Sequence, residues 1–132
     1  MSKRSLQEVQ ELFSKDRFAT ENGMIIDAIA PSWAKCSLTI EDKHRNALGA
    51  VMGGVYFTLA DFAFAVASNW EKIGVVSLTS NITYLGAAKG SKLIAEAQCV
   101  KNGRSTCCYQ TEVRDDLDNL AAVVTTTGYR KT

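Results

Sequence analysis

Histidine and proline each occur once in this chain of 132 residues, as His44 and Pro31, and no CxxC pair is present. With one imidazole and four scattered cysteines (Cys36, Cys99, Cys107, Cys108), the ligand spacings of a zinc site are missing, so no metal is expected. The single proline argues against a Pro-rich linker, and the length suits one packed domain spanning 1–132. Charge of one sign is also lacking: the net formal charge of +1 gives no basic excess for a phosphate backbone, so nucleic acid is not an expected partner. The opening residues carry no apolar signal core, and Glu8, Glu11 and Asp16 do not fit a transit peptide. A cytoplasmic protein is therefore expected, with its cysteines as reduced, partly buried thiols.

What is scarcest is charge between Arg45 and Glu71. Over those 25 residues Asp61 is the only charged side chain, set among Phe57, Leu59, Phe62, Phe64 and Val66. The stretch is long enough to suggest a membrane span. The Gly53-Gly54 pair, Asn46, Asn69 and a central aspartate weigh against that reading, because an aspartate at the centre of a span costs roughly 2.5–3.5 kcal/mol on insertion scales. A helix over about 53–71, apolar all round and buried by the rest of the fold, is expected instead.

The flanking segments supply the cover. Ser5-Leu6-Gln7-Glu8 has capping-box form and opens a short amphipathic helix to about Asp16. Strands are expected over Met24–Ile29 and Trp33–Ile40, joined through Pro31-Ser32. Alternating residues over Val75–Tyr84 predict a strand with one apolar and one polar face. Leu93–Val100 and Arg104–Val113 flank Asn102-Gly103, the favoured pair for a tight hairpin, and Ala121–Thr127 forms a last strand. The order is helix, two strands, long helix, four strands, an α+β arrangement in which a six-stranded sheet wraps the apolar helix.

On a helical wheel, Gly54, Thr58, Asp61, Ala65 and Ser68 share one stripe, with Phe57 and Phe64 beside it. A carboxylate in such company is costly to bury without a chemical purpose, which marks Asp61 as the candidate reactive group. The Gly53-Gly54 step at the helix start presents free N–H groups at the positive end of the helix dipole, in the manner of an oxyanion hole; two glycines equally allow a tight turn into the helix. Gly54 and Asp61 stand about 10.5 Å apart along a helix axis, too far for one small carbonyl to touch both. If both serve one reaction, a second copy of the chain must bring its Asp61 to the Gly54 of the first.

The pattern Asn46-x-x-Gly49-x-x-Met52-Gly53-Gly54, then Thr58-Leu59-Ala60-Asp61 and Ala63-Phe64-Ala65, resembles the hot-dog-fold acyl-CoA thioesterases of the phenylacetate-degradation (PaaI-like) group. The likeness continues through Ser77, Asn81-Ile82-Thr83-Tyr84, Gly90 and Gly103-Arg104, covering roughly residues 22 to 130. It implies a long helix wrapped by a six-stranded antiparallel sheet, paired subunits that extend the sheet, and commonly tetramers. It also implies Asp61 as general base or nucleophile, Gly54 as oxyanion donor, Asn46 as substrate-positioning residue and Ser77 as water-orienting residue. Asp61 and Ser77 would come from one subunit, Asn46 and Gly54 from the other. Met52, Gly53, Phe57, Thr58, Phe64 and Arg104 are then expected to contact substrate, the acyl chain following the Phe57 and Phe64 side. Lys89, Lys92, Lys101, Arg104 and Arg130 are candidates for the phosphates of coenzyme A, which is part of the substrate; no separate cofactor is expected.

One departure stands out. The family usually has His-Gly-Gly where this chain has Met52-Gly53-Gly54, which opens an alternative, a non-catalytic module that binds acyl-CoA. A dehydratase of the same fold needs a His with an acid, and His44 is poorly placed for that and reads as a solvated loop residue.

Overall fold

In the computed structural model, which describes residues 3–131, the long apolar run forms helix α3, Gly53–Asn69, two residues shorter than expected. Before it come α1 (Leu6–Phe13), α2 (Arg17–Glu21), β1 (Ile25–Ala30), β2 (Trp33–Thr39) and a 3-10 turn at Asp42–His44. After it come β3 (Val75–Tyr84), β4 (Lys92–Asn102), β5 (Thr106–Asp115) and β6 (Leu120–Arg130). The capping box at Ser5 is present, the Ser5 hydroxyl accepting from Glu8 N–H while the Glu8 carboxylate accepts from Ser5 N–H. The sequence reading carries one helix to about Asp16; the chain instead stops α1 at Phe13 and restarts as the five-residue α2, too short to leave a periodic signature.

The six strands form one antiparallel sheet in the order β1-β2-β4-β5-β6-β3. The connection from β2 to β3 therefore passes over β4, β5 and β6 to the far edge, and α3 makes that crossing packed on one face. Strand alternation decides what it meets. Cys107, Tyr109, Thr111 and Val113 of β5 are buried while the residues between them are more exposed, as are Leu93, Ala95 and Ala97 of β4; Ala34, Cys36 and Leu38 of β2 are buried too, there with Ser37 between them also covered. The many alanines let the helix approach closely, so Leu59, Ala63 and Val66 reach zero exposure. Among the described residues no helix is long and apolar enough to cross a membrane.

The β4–β5 turn departs from the expected Asn102-Gly103 hairpin. Asn102 stays in the ladder opposite Cys107, and the turn is Gly103, Arg104 and Ser105, because a bulge between Cys99 and Lys101 shifts the register. Gly103 N–H donates to Thr106 O at 2.8 Å across it.

The two sheet edges are treated differently. At β1 a bulge between Ile26 and Ala28 breaks the edge, and the Gln10 amide of α1 donates to Ile26 O at 2.8 Å. At β3 nearly every residue is exposed on both faces, with Leu78 at 56%. The expected apolar face of β3 thus exists in sequence but lies open in the single chain. Its start is fixed by buried Asn69, whose Nδ2 donates to Ala65 O and Val75 O and whose Oδ1 accepts from Gly74 N and Val75 N.

Candidate active site

Helix α3 begins without a side-chain cap. Met52 takes the N-cap position in an extended conformation (φ −64°, ψ 138°), its N–H donating to His44 O at 2.9 Å. The first intrahelical N–H, that of Val55, donates back to Met52 O, and among the described residues the N–H groups of Gly53 and Gly54 have no acceptor. Gly54 is exposed, so two free donors and the positive end of a 17-residue helix face outward together.

The wheel stripe is the side of α3 that the sheet leaves uncovered. Gly54, Thr58, Asp61, Ala65 and Ser68 are each exposed or half-buried, whereas the residues between them are mostly buried. Thr58 turns its hydroxyl back onto Gly54 O at 2.8 Å, and Ser68 does the same to Phe64 O. Asp61 is not sunk among phenylalanines as its sequence neighbours imply: it is exposed in the single chain, with Phe64 turned to the covered side and buried Phe62 reaching it only at the edge of a cleft. It nevertheless lines a cleft of about 270 Å³ between α2 and α3 with Asp16, Arg17, Thr58 and Phe62. Although the residue is exposed, the cleft partly desolvates the Asp61 carboxyl and pushes it above its ordinary value, and the negative charge of Asp16 pushes it the same way.

Asn46 lies in a tight loop just before the helix. Its Oδ1 accepts from Leu48 N–H (2.9 Å) and Ala50 N–H (3.1 Å), and its backbone bonds Ala50 O and Gly49 N, so the loop folds back and an Arg45–Val51 bridge closes it. The side-chain oxygen is thereby occupied as a turn former, which leaves the Nδ2 hydrogens facing outward. Ser77 is exposed on the open edge strand, opposite Gly128 at a bulge. Within one chain, neither Asn46, Gly54 nor Ser77 lines the Asp61 cleft.

The other expected contact residues divide. Met52 is half exposed at the helix tip, Gly53 and Phe57 are half-buried beside it, and Arg104 is exposed on the β4–β5 turn. Phe64 departs from expectation: it is buried in the core, edge-to-face on Tyr109 with ring centres 5.3 Å apart, because the helix turns it toward β5 rather than along the stripe. His44 is not a loop residue in solvent. It is buried, its Nδ1 accepting from Glu41 N at 2.9 Å and its Nε2 2.8 Å from Asn22 O, which fixes the hydrogen on Nε2 and commits both ring nitrogens to structure. Two contributors escaped the sequence reading: Asp16, which reads as the end of a helix, and Tyr84, whose hydroxyl donates to Gly53 O at 3.0 Å.

Among known proteins, the thioesterase superfamily matches residues 48–122, the segment that holds the helix tip, Asp61 and Ser77. The chain belongs to this family. Within the thioesterase superfamily it is 39% identical over 99 residues to a putative esterase of Archaeoglobus fulgidus, a match covering 74% of this chain and 64% of that protein. It is 34% identical over 106 residues to the human acyl-coenzyme A thioesterase 13, covering 76% of each. The solved PaaI protein of the Escherichia coli phenylacetic acid degradation operon superposes with a TM-score of 0.89 at 25% identity over 97% of both chains. That superposition establishes the hot-dog fold of the thioesterase superfamily for this sheet and helix.

Proposed function

We propose that the protein hydrolyses an acyl-CoA thioester to free acid and CoA, as a dimer in which Asp61 and Ser77 of one subunit face Asn46 and the Gly54 N–H of the other. One observation carries this reading: Asp61 and the free Gly54 N–H occupy the same uncovered stripe, yet seven residues of helix hold them about 10.5 Å apart. Two copies related by a two-fold axis and joined along β3 lay the two stripes against each other in opposite directions, bringing each acid to the other helix tip. The open β3 edge with Val76 and Leu78 exposed supports that junction. The name of the human relative supports acyl-CoA as the substrate class.

The chemistry follows from the groups available. A water held near Ser77 adds to the thioester carbonyl carbon while Asp61 takes its proton; the oxygen gains negative charge and accepts from Gly54 N–H. The C–S bond then breaks and CoA leaves as a thiolate, which needs little acid assistance. Direct attack by Asp61 to give an anhydride, hydrolysed in a second step, uses the same geometry. No cofactor beyond the CoA of the substrate is required. The exposed Asn46 Nδ2 serves to orient the acyl carbonyl, Thr58 and Phe57 to line its path, and Arg104 to meet the CoA phosphates. A physiological tetramer and a cytoplasmic setting fit the same reading.

Half-exposed Met52, where the family's usual histidine would stand, favours a second reading, an acyl-CoA-binding module without turnover. Release of free thiol across aliphatic and aryl acyl-CoAs separates the two: turnover abolished by Asp61→Asn supports hydrolysis, and saturable binding without thiol release rejects it.

A further inference from the structure

Aspartate at the residue before a helix normally accepts from the N–H groups of the first turn, worth about 1 kcal/mol. Asp16 holds that position before α2 and makes no such bond. Its carbonyl starts the helix, accepting from Thr20 N–H and the Thr20 hydroxyl, but its carboxylate has no hydrogen-bond or ion-pair partner among the described residues. It lines the cleft that also holds Asp61, over a floor that includes buried Phe62.

The rest of that cleft does nothing to neutralise it. Arg17 is its one cation, and the Arg17 guanidinium is ion-paired with Glu21 one turn along α2. On the α3 side Asp61 is the sole charged group, with Thr58 already bonded to Gly54 O. Two carboxylates therefore line one partly apolar cleft whose single cation is already paired.

We propose that Asp16 is a positioning residue for Asp61, acting through this shared cleft to set the pH at which Asp61 becomes an active base. The inference rests on the thioesterase reading for its purpose, but not for its physical content. A like charge across the cleft disfavours a second carboxylate and keeps Asp61 a better proton acceptor than a solvated aspartate. Burial and the Asp16 charge both push Asp61 in that direction, and burial pushes Asp16 upward too. Helix α2 then belongs to the site, although the catalytic pattern lies entirely in and after the loop at Asn46.

The test uses the whole chain. The carboxyl carbon of Asp61, identified by its loss in Asp61→Asn, is titrated by 13C NMR in the wild type, Asp16→Asn, Asp16→Ser and Asp16→Glu. Asparagine and serine are good N-cap residues, so both neutral variants keep the start of α2. In both, the Asp61 titration and the acid limb of the kcat/KM profile move to lower pH; in Asp16→Glu they stay near the wild type. Added salt shrinks the difference. An Asp61 titration unmoved in both neutral variants overturns the proposal, even with normal thiol release. Titration that follows Asp16 without thiol release from any acyl-CoA overturns the thioesterase reading and leaves the coupling standing.

Discussion

Tyr84, at the end of the edge strand, donates its hydroxyl hydrogen to the carbonyl of Gly53 at 3.0 Å, tying β3 to the first turn of α3. The approach is close: a Cβ at position 53 would lie 3.0 Å from the Tyr84 oxygen and 3.1 Å from its Cζ, so the tyrosine would have to give way slightly. Moving Tyr84 aside would disturb its edge-to-face contact with Tyr56. Gly53→Ala should cost about 1–2 kcal/mol by crowding, partly offset by alanine's helix preference. Tyr84→Ala should cost a similar amount, and the double variant should be no less stable than the weaker single. Denaturant unfolding of all four proteins measures that coupling, and simple additivity would show that the two residues do not constrain each other.

Asp61 carries a second expectation, for stability as well as rate. Its carboxyl is held above its ordinary value in the fold, so the charged form is the disfavoured one. The resulting penalty is present above the folded-state value and disappears as pH falls through it, the reverse of a paired carboxylate. Asp61→Asn should therefore unfold at the same or a higher temperature at neutral pH, an advantage that fades in acid, while thiol release drops by about 10²-fold or more. Melting curves from pH 4 to 8 beside a rate assay give both readings; a variant less stable at neutral pH contradicts the sign.

Much of this architecture was legible before any coordinates. Alternation marks β3 over Val75–Tyr84 and the turn pair Asn102-Gly103 marks its later neighbours; in the fold it is β5 whose alternation meets the core, with Cys107, Tyr109, Thr111 and Val113 inward. The helix announced itself by the missing charge, and the wheel picked out its uncovered stripe. What stayed hidden depends on distances between segments. Apolar sequence neighbours made Asp61 look buried, yet residues one position away on a helix point about 100° aside, so Phe62 turns into the packed interior at the cleft floor while Asp61 stays exposed. The Asn102-Gly103 pair signalled a two-residue turn, but a bulge two residues earlier moved the turn to Gly103–Ser105. Asn69 registers only as a polar residue in an apolar run, and its hydrogen bonds to Gly74 and Val75 become visible only when β3 is seen to start beside it.

Asp115 shows how the turns beside the sheet are secured. Fully buried, its carboxylate accepts from Lys89 N, Gly90 N and Asn119 Nδ2 on one oxygen and from Leu117 N and Asn119 N on the other. Burial alone would push the carboxyl up, but these donors outweigh it and hold it well below the usual carboxylate range. Its contribution is therefore full above the unfolded value near 4 and is lost as pH falls toward the depressed folded value. Asp115→Asn should lose about 2 kcal/mol or more at pH 7, because an amide NH₂ replaces one acceptor and faces donors. Below pH 4 the gap to wild type should narrow; a constant gap from pH 7 to pH 3 in urea titrations would remove this carboxylate from the acid response.

The open β3 edge makes the last prediction. Leu78 is the bulged residue between Ser77 and Thr79, so it has no partner across the β3–β6 ladder and projects from the edge with 56% of its surface exposed. Nothing in the single chain covers it, so Leu78→Asp should leave the fold of an isolated subunit close to neutral in stability. In a β3-to-β3 dimer the same change sets two carboxylates near the two-fold axis, where like charges oppose and cannot be hydrated. For the proposed dimer, light scattering of the wild type gives twice the subunit mass and Leu78→Asp gives the single-subunit mass, with thiol release falling in proportion. Because Asp61 and Gly54 of one subunit lie about 10.5 Å apart, a monomer that kept full turnover would mean that the acid and the helix tip never act on the same carbonyl.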